Sequence, residues 1–256
     1  MEFIQLEYKD KIMKIGLDRP DTNNAFHIQM LHELTEAFTL FEEHSEARVA
    51  ILHSTSKHFT VGLEIEEVTQ HLISEGKVQY PENSVDPHGL IGRRRSKPLI
   101  VAISGFCFTI GLELALAADI RIGTRSSRFT QAEVQRGFCA MGGATFRMVQ
   151  EFGWGNAMRY LLTGDVFNGE EAYRLGLLQE LVEPQMLLTR AEELAKKIEE
   201  NAPSAILETI RSAHSTRHYE ESEYKRVTEK AIQMMRSPEG REGILSFQEK
   251  RKANFG

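Results

Sequence analysis

Residues 98–123 read PLIVAISGFCFTIGLELALAADIRIG, and the fold turns on how this run is divided. From Pro98 to Ile120 it has the length and apolarity of a membrane span. Against that reading, Glu113 stands in its interior, Gly105 and Gly111 interrupt it, and Lys97 and Asp119 sit at its edges. A charge at mid-bilayer costs at least about 2.5 kcal/mol. The run therefore divides into buried elements: a strand over Leu99 to Ser104, a helix over Gly111 to Ala118, and a strand over Ile120 to Gly123.

Upstream, Ile4, Leu6 and Tyr8 alternate on one strand and Ile12, Met13 and Ile15 follow on the next, a hairpin turning at Lys9 and Asp10. Met30, Leu31, Leu34, Ala37, Phe38 and Phe41 recur at helical spacing, Val49 to His53 reads as a strand, and Ile65 to Ile73 as a helix. Residues 76–96 are polar and aperiodic, which predicts a mobile surface segment over the site. Downstream of residue 154 the pattern is helix after helix. Asn168 with Glu171 forms a capping pattern, Leu187 to Ile198 has helical spacing, and Pro203 and Ser237-Pro238 open further helices. Alternating strands and helices followed by a helical third predict an α/β fold, layered or spiral.

The 31 basic and 37 acidic residues leave a net charge of -6, which argues against a general grip on nucleic acid or anionic lipid. The N-terminus lacks the basic, apolar and cleavage segments of a signal peptide. With Cys107 and Cys139 the only cysteines, a reducing, cytoplasmic setting is expected, and both read as packing residues. Trp154 also reads as packing. Arg93, Arg94, Arg95 and Lys97 read first as a solvated face, with contact to a phosphate or a neighbouring subunit as the alternatives. The nine His residues show no metal spacing, and no metal site is expected.

Chemistry gathers at three places. Glu113 occupies the first turn of an otherwise apolar helix, where a carboxylate is either a favourable dipole partner or a catalytic group beside free N–H donors. Glu133 follows 20 residues later in Phe129-Thr130-Gln131-Ala132-Glu133-Val134. Phe59-Thr60-Val61-Gly62-Leu63-Glu64-Ile65 places a glycine turn between a strand and a helix, so that the next N–H can point into a site.

Together with Leu17-Asp18-Arg19-Pro20, Asn24-Ala25, Gly142-Gly143-Ala144-Thr145, Leu161-Leu162-Thr163-Gly164, Leu175-Gly176-Leu177 and Phe247-x-x-Lys250-Arg251, this ordered set resembles the crotonase family, also called the enoyl-CoA hydratase and isomerase family. The resemblance implies a spiral of strand-strand-helix turns over residues 1–190, a helical trimerisation region over 191–256, and trimers or dimers of trimers. It implies an acyl-CoA thioester substrate and an enoyl-CoA hydratase that adds water syn across the 2-enoyl double bond. Glu113 and Glu133 fall on the acid/base pair, and the N–H groups of Leu63 and Ile110 on the oxyanion hole. Ala25, Val61, Gly62, Ile65, Gly111 and Lys250 fall on substrate-binding positions. No cofactor is implied beyond the coenzyme A that the substrate carries, nor any nucleic-acid or membrane partner.

The chain departs from the family pattern at Thr109 and Ile110, often Gly, at Leu63 and Glu64, usually a small residue and Asp, and at Ala140, commonly Pro. Backbone donors survive such changes, but the larger side chains predict a narrower pocket. Double-bond isomerisation by a single carboxylate is the alternative reaction, and a non-enzymatic scaffold a more distant one.

Overall fold

The computed structural model describes residues 1–215 and 219–255. Strands β1 (Ile4–Lys9) and β2 (Ile12–Leu17) form the expected antiparallel hairpin, its turn one residue later than read, at Asp10 and Lys11. Both turn residues have positive φ, 50° and 61°, as a tight turn matched to strand twist requires. Helix α1 (Ile28–Glu43) leads to β3 (Val49–Ser54), and α2 (Ile65–Glu75) precedes β4 (Leu99–Ile103). After β5 (Phe106–Phe108) come α3 (Ile110–Ala117), β6 (Ile120–Gly123) and β7 (Arg128–Thr130). Beyond them lie α4 (Ala144–Phe152), α5 (Trp154–Leu161), β8 (Phe167–Asn168), α6 (Gly169–Arg174) and β9 (Glu180–Leu181). Helices α7 (Leu187–Glu199), α8 (Pro203–His214), α9 (Glu220–Arg236) and α10 (Pro238–Gln248) complete the chain.

The large sheet has the order β1-β2-β3-β4-β6-β9, parallel after the first pair. Strands β3 and β4 are apolar almost throughout because both faces are covered. Val49 and Ile51 on β3, with Ile100 and Ala102 on β4, meet Leu187, Ala191 and Ala195 of α7. Their alternates Ala50, Leu52, Val101 and Ile103 face the main core with Leu34, Phe38 and Phe41 of α1 and Leu112 of α3. The boundary at residues 190 and 191 falls within α7. A second sheet, β5-β7-β8, is built from strands of two and three residues.

Three expectations need correction. Residues 76–96 are an ordered cover, in which Val85 and Leu90 are fully buried. The Asp86 carboxylate accepts the N–H groups of His88, Leu90 and Ile91 at 3.0, 2.7 and 3.0 Å, and the Val85 N–H donates to Thr39 Oγ1. Side chain to backbone bonds of this kind leave no hydrophobic period to read. The neighbouring basic run is largely spent inside the fold: Arg95 is buried against Asp119, Arg93 pairs with Glu43, and Lys97 donates to the carbonyls of Phe41 and His44. Trp154, read as packing, is 71% exposed at the start of α5.

Helix α9 is held to α4 by Arg147 and Glu220, whose side chains are 3% and 1% exposed and meet at 2.8 and 3.2 Å. Removing one member strands a buried charge, so Arg147→Met should lower unfolding free energy by about 3–5 kcal/mol, and Arg147→Met with Glu220→Leu should recover most of it. Denaturant unfolding of the three proteins measures this; a single-variant loss below about 1 kcal/mol would place the pair among ordinary surface bridges.

Candidate active site

The site begins with the pairing of two three-residue parallel strands. Strand β5 runs beside β7, and the Thr109 N–H donates to Thr130 O at 2.9 Å just beyond them. The chain leaving β5 enters α3, and the chain leaving β7 enters a 3-10 turn over Glu133–Arg136. Glu113, one turn into α3, and Glu133, first in the 3-10 turn, are thereby brought together. Both are buried, at 5% and 9% exposure.

Their surroundings differ. Glu113 Oε1 accepts the Ala144 N–H at the start of α4, at 3.2 Å. Gly142 is held so close that a Cβ there would stand 2.3 Å from Glu113 Oε2. Burial pushes the Glu113 carboxyl up, while His88, the N–H groups of Ala144 and Gly142, and Arg147 pull it the other way. Glu133 has fewer donors. Burial and then the Glu113 charge push its carboxyl up to about 8, opposed only by a hydrogen bond to its own backbone and by Arg136. Two carboxyls in one buried site titrate as a pair, and fewer groups oppose the upward push at Glu133 than at Glu113. The Gln131 amide lies 3.0 and 3.1 Å from the two Glu133 carboxyl oxygens, and in the orientation that satisfies both groups its NH2 donates to them.

The Gly62 turn supplies the other half of the site. The Phe26 N–H donates to Gly62 O and the Glu64 N–H to Phe26 O, both at 2.8 Å, so the intervening Leu63 N–H faces away from residue 26. Among the described residues it has no acceptor. The same holds for the Ile110 N–H, which at the first position of α3 has none within its helix. Thr109 and Gly62 bring the two donors side by side, since a Cβ on Gly62 would come within 2.4 Å of Thr109 Oγ1. Thr109 itself has φ 50°, an uncommon backbone for a β-branched residue, and its buried hydroxyl is without a partner among the described residues.

A cavity of about 560 Å³ opens here, lined by Ala25, Val61, Leu63, Ile65, Thr109 and Glu133 among others. Of the other expected substrate-binding positions, Gly62 forms the turn behind this wall. Gly111 faces Thr60, Cys107 and Phe59 in the core. Lys250 lies beside an adjoining groove with Glu64, Ile65 and Phe247. Wall residues that carry no such expectation include Phe138 and Arg136 from the 3-10 turn region, Met235 from α9, and Phe247 as a wall residue from α10. The three-residue spacing of Glu133 and Arg136 was the available signal for Arg136. The other three come together only when α9 and α10 fold back over α2 and the 3-10 turn of their own chain.

Gly62→Ala should destabilise the fold and slow turnover, because φ 109° disfavours a side chain and the new Cβ meets Thr109 Oγ1. Thr109→Gly removes that atom, so the double variant should regain part of both losses. Thermal unfolding and acyl-CoA turnover of the three variants report this; additive losses would show that the two positions do not touch.

Comparison with known proteins agrees with this geometry. A sequence model of the enoyl-CoA hydratase/isomerase family matches residues 7–256. Enoyl-CoA hydratase EchA19 of Mycobacterium tuberculosis is 30% identical over 98% of this chain and 95% of its own. Crotonyl-CoA hydratase of Syntrophomonas wolfei is 30% identical over 99% and 98%. The crystal structure of a probable enoyl-CoA hydratase/isomerase from Mycobacterium abscessus superposes with a TM-score of 0.82 at 35% identity, covering 100% of this chain and 98% of that one. With a match that runs from the first strand to the C-terminus and a shared fold, the chain belongs to the enoyl-CoA hydratase/isomerase, or crotonase, family.

Proposed function

We propose that the protein hydrates 2-enoyl-CoA thioesters by syn addition of water. The observation that carries this reading is the pair of buried glutamates in unlike surroundings: both carboxyls are pushed up by burial, and Glu113 has more hydrogen-bond donors and cations opposing that push than Glu133. Attack of water on the β-carbon drives the double-bond electrons toward the thioester oxygen. The N–H groups of Leu63 and Ile110 receive that developing charge, and one such donor is worth about 2.7–4 kcal/mol. Glu113 takes the proton from the attacking water, and Glu133 delivers its proton to the α-carbon as the enolate collapses. Every step is a proton transfer or an addition at carbon, so the reading assigns the chain no cofactor of its own; coenzyme A arrives with the substrate. Isomerisation asks for one carboxyl only, and the second buried acid is what favours hydration. The exposed Trp154, Leu162 and Tyr173, at α5 and α6, support association of further copies of the chain through that face.

Because Glu133 acts as the acid and its carboxyl is raised to about 8, it is protonated at neutral pH. Hydration should therefore fall as pH rises through that value. Glu113→Gln and Glu133→Gln should each reduce hydration of crotonyl-CoA by about 10²–10⁴ while leaving acyl-CoA binding nearly intact. Loss of the conjugated thioester absorbance follows the reaction. Near-native hydration by Glu133→Gln would rule out the two-glutamate mechanism.

A further inference from the structure

Among the described residues, the half-buried and buried arginines other than Arg94 and Arg136 are matched to oxygens. Arg19 meets Glu64, Arg95 meets Asp119, Arg121 meets Glu151, and Arg147 meets Glu220. Arg136 differs. It is half-buried and lines the 560 Å³ cavity, yet among the described residues its guanidinium has no hydrogen-bond acceptor and no ion-pair partner. Its Cζ lies 4.3 Å from the centroid of the Phe247 ring. Glu133, on the same turn, makes no hydrogen bond or ion pair with it among the described residues.

Glu133 and Arg136 are the first and last residues of one 3-10 turn. Such a turn has three residues, so the two side chains eclipse on one side, with backbone positions about 6 Å apart along the axis. Both line the same cavity, whose other walls here are Leu72, Phe138, Val166 and Met235. A chain reacting beside Glu133 thus runs through apolar surface toward a half-buried cation that has no ion-pair partner among the described residues.

We propose that this cavity selects enoyl-CoA thioesters whose acyl chain ends in a carboxylate, with Arg136 as the residue that binds the distal carboxylate. The inference rests on the hydratase reading only for the reactive end of the substrate. A planar guanidinium held by an aromatic ring takes a carboxylate through two parallel N–H bonds, and Lys reproduces the charge without that fork.

The test compares (E)-2-hexenedioyl-CoA with (E)-2-hexenoyl-CoA, equal in chain length and differing only in the terminal carboxylate. Adipoyl-CoA and hexanoyl-CoA, which cannot be hydrated, serve as the matching binding pair. The native protein should favour the carboxylate member of each pair by about 10- to 100-fold in kcat/KM and in Kd. Arg136→Leu should abolish or reverse that ratio, and Arg136→Lys should keep part of it. Circular dichroism establishes that the variants are folded; should Arg136→Leu fail to fold, Arg136→Gln carries the same comparison. An equal ratio in native and variant proteins overturns the proposal. So does a loss shared equally by both substrates with a displaced pH profile, which would make Arg136 an electrostatic neighbour of Glu133 and nothing more. Failure to hydrate either enoyl thioester would count against the hydratase reading alone, since the saturated pair still measures the carboxylate preference.

Discussion

The site hangs on the short parallel pairing of β5 with β7, extended by the bond from the Thr109 N–H to Thr130 O. This pairing sets the start of α3 beside the 3-10 turn at Glu133. It therefore fixes where the Ile110 N–H, Glu113 and Glu133 stand relative to each other. Strands so short have little stability alone. The large sheet, covered on one face by α1 and α3 and on the other by α7, holds them in place.

Several groups at this site are held where an isolated peptide would not keep them. Thr109 adopts a left-handed backbone, its hydroxyl lacks a partner among the described residues, and two carboxyls share one pocket. Strain and desolvation of this sort persist only when the surroundings over-determine them. Here the surroundings include the buried Arg147 and Glu220 pair, the Arg95 and Asp119 pair, and the Asp86 carboxylate that orders residues 86–91. The segment that looked loose in sequence is thus part of the frame. Of the basic run that read as a solvated face, Arg95 and Lys97 are committed to it.

Side-chain period made α1, β2, β3, β4 and α3 legible, because each buries a regular stripe or a continuous apolar run; β1 was legible from its alternation although only Ile4 of it is buried. Glu113 was legible for the same reason, as an acid that breaks an apolar pattern. Glu133 and the Gly62 turn gained meaning only as members of an ordered set of motifs. The second sheet left no trace, since strands of two or three residues cannot display a period. The order of residues 76–96 was equally hidden, because its bonds run from side chains to N–H groups and do not repeat.

The sequence by itself determined the α/β class, the hydrophobic faces and the chemical identity of the two acids, because these follow from residue type and local spacing. Only the tertiary structure decided that the Glu133 carboxyl is pushed up to about 8, since that depends on burial and on a charge 20 residues away in sequence. It also decided that Arg136 faces the cavity beneath Phe247 without an acceptor among the described residues. Both outcomes arise where separate segments converge and exclude water. Electrostatic strength there is set by the enclosure, which no single stretch of sequence contains.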